Sequence, residues 1–69
     1  MIFMKFKTAS TEKYGMDSIW LDIEHIASIK GCPEQLDRTL IEMVSGSVYE
    51  VDGYSEEILK EIVNEFREN

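Results

Sequence analysis

Few residues in this chain can do proton or covalent chemistry. His25 is its only histidine and follows Glu24; Cys32 is its only cysteine and precedes Pro33. A histidine held by a carboxylate can serve as a general base, and a thiolate as a nucleophile or metal ligand. Neither residue has the company such roles require. One Cys and one His fall short of the roughly four ligands of a zinc site. A Gly-rich phosphate loop and a Ser nucleophile elbow are both missing. The expectation is a protein that is not an enzyme, with no metal and no cofactor. His25 then reads as an exposed strand-edge residue and Cys32 as a free thiol.

Carboxylates are what the chain has in excess. Fourteen Asp and Glu stand against seven Lys and Arg, a net charge of −7, and the pI is near 4.5. That balance opposes direct nucleic-acid binding, which needs cations to displace phosphate counterions, and it opposes anionic membrane surfaces likewise. No apolar run approaches the roughly 20 residues of a transmembrane helix. The opening "MIFMKFKTAS" has an apolar part too short for a signal peptide, interrupted by Lys5 and Lys7. A lone cysteine rules out an internal disulfide and suits a reducing, cytoplasmic setting. At 69 residues the chain reads as one domain spanning 1–69. A chain this short buries only about 60% of its unfolded surface, which makes self-association a common remedy.

The acids are unevenly spread. Residues 1–13 carry three lysines against Glu12, residues 17–52 carry eight acids against Lys30 and Arg38, and the remainder carries five acids against Lys60 and Arg67. The excess therefore falls on a stretch that alternates like β-structure, and the strands decide where those acids point.

Residues 2–7 alternate Ile2, Met4 and Phe6 against Phe3, Lys5 and Lys7, a strand pattern. "TASTEKYGMD" reads as a loop. Residues 18–23 alternate again, Ile19, Leu21 and Ile23 opposing Trp20, Asp22 and Glu24, before a bend at Glu24–His25 and a short strand at 26–30. "GCPEQLD" is a loop. In "EMVSGSVYEVDGYSEE", Gly46 suits the last position of a three-residue hairpin loop, Val44–Ser45–Gly46. That register sets Ile41 opposite Tyr49 and Thr39 opposite Val51, and turns Glu42 and Glu50 to the other face. A two-residue loop would scramble both faces. Ser55 reads as the N-cap of a terminal helix, with Glu56 and Glu57 in its first turn and a Tyr54–Leu59 hydrophobic staple. Ile58, Leu59, Ile62, Val63 and Phe66 form its apolar stripe.

The expected fold is α+β: a small antiparallel sheet of four or five strands, packed by one C-terminal helix. Its core would hold Ile19, Leu21, Ile23, Ile41, Met43, Tyr49 and Val51, with Tyr54 and Phe66 fitting the same interior. The outward residues Trp20, Asp22, Glu24, Leu40, Glu42, Val48, Glu50 and Asp52 would then mix apolar anchors with carboxylates, the layout of a protein interface.

Two resemblances attach to these features. "IASI" followed by "SGSVYEVDGYSEEILKEI" resembles the strand, Gly-turn, "Y-x-V" and acidic-start helix of the small flagellar proteins called FlbD. That resemblance implies an intracellular adapter or assembly protein and brings no catalytic residues. The small size, acidity and lack of a catalytic motif resemble acidic phage-encoded early proteins that mimic DNA. That resemblance implies a homodimer whose carboxylates stand in for duplex phosphates, inhibiting a basic DNA-binding protein of the host, such as an HU-type nucleoid protein.

Overall fold

The computed structural model describes residues 1–8 and 18–69. Most of the expected loop after the first strand, residues 9–17, lies outside them. The fold is α+β. Five strands, β1 (Phe3–Lys7), β2 (Ser18–Asp22), β3 (Ile26–Gly31), β4 (Arg38–Met43) and β5 (Val48–Asp52), precede one helix, α1 (Ser55–Glu68). A 3₁₀ turn at Ile23–His25 separates β2 from β3, where the alternation of apolar residues changes phase.

The strands do not form the single sheet expected. β1 and β2 pair as an antiparallel ribbon, and β3-β4-β5 form a separate antiparallel sheet in that order. An isolated bridge between Thr8 and Val51 links the two. The hairpin has the expected register, Ile41 opposite Tyr49 and Thr39 opposite Val51. Its loop is closed by the Met43 N–H donating to the Ser47 carbonyl (2.8 Å) and the Gly46 N–H to the Met43 carbonyl (2.9 Å). Gly46 takes φ +98°, a conformation that strains any residue with a Cβ.

Alternation then sorts the side chains. Phe6, Leu21, Ile23, Ile41, Met43, Val51, Ile58 and Ile62 are buried, and Ile2, Met4, Ile19, Ile26, Ile29 and Tyr49 pack partly against them. Tyr54 and Phe66, expected inside, are 52% and 43% exposed. A sheet of three short strands covers only part of the helix's wide apolar stripe, so Ile58 and Ile62 are buried while Leu59, Val63 and Phe66 face outward.

The helix also starts one residue earlier than Ser55 as a cap requires. Tyr54 occupies the cap position, and its carbonyl accepts the Ile58 N–H (2.9 Å) without any side-chain cap bond. Ser55 is the first helical residue, its hydroxyl set toward Gly31. Tyr54 and Leu59, the expected staple, are each about half exposed. What aims the helix instead is Gly53, at φ +119°. Its N–H donates to the Asp37 carbonyl (2.8 Å), and its carbonyl accepts the buried Thr39 hydroxyl (2.8 Å).

Candidate protein-interaction surface

The outer face of β4 and β5 is built by the hairpin register. Leu40 stands opposite Glu50, Glu42 opposite Val48, and Arg38 opposite Asp52, so acids and apolar groups alternate both along and across the strands. Glu42, Val48, Glu50 and Asp52 are exposed, and Leu40 is half-buried. Two of the acids are tethered. The Arg38 guanidinium donates to Glu50 Oε2 (3.0 Å), and the Ser28 hydroxyl donates to Glu42 Oε1 (3.0 Å). Lys30 lies on the same face, opposite Leu40. Helix α1 packs on the other side of this sheet, and no described element covers the outer face.

Three residues expected beside these acids sit elsewhere. Asp22 turns inward, its side chain only 10% exposed. Its Oδ1 accepts the N–H groups of Ile2 (3.3 Å) and Glu24 (3.2 Å), and its Oδ2 lies 2.8 Å from His25 Nδ1. Burial pushes the Asp22 carboxyl up, but the Glu24 and Ile2 N–H groups and His25 outweigh that effect and hold it below its ordinary value. Strand alternation places Asp22 outward; the 3₁₀ turn it caps brings it in. Glu24 pairs with the terminal ammonium of Met1, which raises the pKa of that amine through a hydrogen bond and direct attraction. Both carboxylates thus organise the chain start and the turn.

Trp20 is 61% exposed, but its cross-strand neighbour is Lys5 rather than a carboxylate. With Phe3 and Lys7 it gives the β1–β2 ribbon a small basic and aromatic outer face. The alternation of Phe3, Lys5 and Lys7 was visible in sequence; their pairing with Trp20 depends on the ribbon register.

His25 is exposed, and Cys32 is half-buried with a free thiol. Among the described residues, no group of three or more His, Cys, Asp or Glu side chains is placed to hold a metal ion. None of the helices there is long and apolar enough to cross a membrane. No protein-family model, curated protein or solved structure matches this chain.

Proposed function

We propose that this is a non-enzymatic, acidic protein-binding module that occupies the basic, DNA-binding surface of a host protein in the cytoplasm and excludes DNA from it. The observation that carries this reading is the outer face of β4–β5, where Glu42, Glu50 and Asp52 alternate with Leu40 and Val48. A phosphate backbone offers negative, acceptor-only groups at fixed positions. Carboxylates offer the same chemistry, and the tethers from Ser28 and Arg38 fix two of them in place. Complementary charge gives fast association and selectivity. The apolar groups between the acids slow dissociation, which is where most differences in affinity arise. Asp22 is withdrawn from this face by burial, its oxygens taken by internal partners, and Glu24 lies apart from it beside the chain start.

A second reading, an adapter or assembly protein of the FlbD type, draws on the presence of Lys30 and Arg38 on the same face. Two cations among three acids leave a surface of modest net charge, suited to an ordinary partner of mixed character.

Competition separates the two. A labelled duplex bound to a purified HU-type nucleoid protein is titrated with this chain at low salt and resolved by electrophoretic mobility. DNA mimicry requires release of free duplex as a complex of the two proteins forms. Duplex that stays bound under a large excess of this chain removes mimicry of that target and favours the adapter.

A further inference from the structure

The outer face of the β1–β2 ribbon interleaves rings and cations. Phe3, Lys5 and Lys7 alternate along β1, and Trp20 stands opposite Lys5 on β2. Phe3 and Trp20 are 51% and 61% exposed, and both lysines are exposed as well. The two rings are diagonal neighbours, roughly 7–8 Å apart across the ribbon, and the two lysines are about 7 Å apart along β1. Within the described residues neither lysine pairs with a carboxylate. Asp22, opposite Phe3, is withdrawn into the 3₁₀ cap, and Glu24 is paired with the terminal ammonium. A chain of net charge −7 thus keeps, among its described residues, one strand pair whose outer face carries cations without exposed acids between them.

That combination discriminates among anionic ligands. An acidic peptide would satisfy the ammonium groups but not the rings, whose negative faces repel carboxylates. An anionic bilayer spreads its headgroups over the whole footprint of the molecule, and so against its many acids. A nucleic-acid strand supplies flat bases and phosphates in alternation, the two groups that the ribbon can receive.

We propose that this face binds single-stranded nucleic acid, with two successive bases stacked on Trp20 and Phe3 and the adjoining phosphates on Lys5 and Lys7. The net charge sets the limits of the site. A rigid duplex keeps its base faces inside the stack and would bring further phosphates against the acids of the rest of the chain. A flexible strand offers both groups and can touch the ribbon alone. The strands used are not those of the β4–β5 face, so the inference stands apart from the partner proposed above.

Trp20 is the only tryptophan, so its emission reports on this face directly. The chain is titrated at low salt with oligothymidylate and with oligouridylate of about eight nucleotides. Saturable quenching by both is expected, because stacking tolerates any base. Two phosphate contacts should give a slope of about −1.4 for log K against log salt, and Lys5→Gln with Lys7→Gln should bring it close to zero. Phe3→Ala should weaken binding about ten-fold, read by the same emission. All three side chains are exposed, and circular dichroism checks that the fold persists. An abasic strand of equal length should quench little. Absence of quenching up to millimolar strand overturns the proposal, as does an abasic strand that quenches as well as the intact one. Equal responses to polyglutamate or to phosphatidylglycerol vesicles overturn it too, and hand the face to an acidic protein segment or a membrane. Thymidine monophosphate that quenches as strongly as the strand also overturns it, leaving a nucleotide site.

Discussion

Gly53 and Gly46 both take positive φ, but they differ in what a side chain would meet, and alanine at each separates the two costs. At Gly46 an added Cβ finds nothing within 4 Å, so the penalty is confined to the backbone. That penalty is about 1–2 kcal/mol, offset by the roughly 0.4–1 kcal/mol alanine contributes by narrowing the unfolded ensemble. The net loss for Gly46→Ala is then about 1 kcal/mol. At Gly53 the Cβ would also stand 3.1 Å from Ile58 Cδ1, and Ile58 is only 6% exposed. It cannot swing into solvent, so its methyl must give by a few tenths of an ångström against the packed core, at about 1–3 kcal/mol more. Gly53→Ala should cost about 2–4 kcal/mol in all, a large share of the roughly 3–10 kcal/mol available to a domain this small. Urea unfolding followed by far-ultraviolet dichroism measures both variants, with an unchanged m-value showing that compactness is preserved. A Gly46→Ala loss equal to or larger than that of Gly53→Ala would refute this account of how the helix is aimed.

Thr39→Val keeps the volume of a fully buried residue but removes the donor to the Gly53 carbonyl; the expected loss is about 1–3 kcal/mol, and a change of a few tenths in urea unfolding would show the bond to be dispensable. Ile41→Ala, at a site with no exposed surface, should cost about 2–5 kcal/mol and leave little folded protein on warming. Asp22 has a lowered folded pKa, so its contribution is present above the ordinary carboxylate value and is lost as pH falls through the folded value. Asp22→Asn should therefore flatten the acid limb of stability against pH, and an unchanged limb would count against its capping role. The terminal amine has a raised pKa, so its contribution is complete below about pH 8 and is lost as pH rises through the folded value. Glu24→Gln should flatten that alkaline limb and leave the acid limb of Asp22 in place.

The hairpin was legible because two independent signals agree on it: a glycine where the loop needs positive φ, and an alternation that only one register keeps segregated. The outward direction of Glu42, Val48, Glu50 and Asp52 follows from that register alone. Asp22 was not legible, since alternation assigns it outward and only the chain reversal at Ile23–His25 makes it a cap. Trp20 was read correctly as exposed, yet its neighbours depend on how β1 pairs with β2, which no local pattern fixes. The helix was clear from its period, but its stripe is wider than the sheet beneath it. Period says which residues share a face, and only the extent of the neighbouring layer says how much of that face is covered. Phe66 and Tyr54 fall on the uncovered side for that reason.

Charge reversal on two faces tests most directly whether the outer face of β4–β5 is the recognition surface. Glu42→Lys with Glu50→Lys inverts the acid pattern there, while Glu61→Lys with Glu68→Lys makes the same net change on the exposed side of α1. Each pair is assayed for displacement of a labelled duplex from a basic DNA-binding protein at rising salt. Screening should weaken the wild-type complex steeply, as the Debye length contracts from about 10 Å at 0.1 M to about 3 Å at 1 M. The account predicts that the sheet-face pair loses competition while the helix pair retains most of it, both folded by circular dichroism. Equal losses from the two pairs, or full competition by the sheet-face variant, would contradict it.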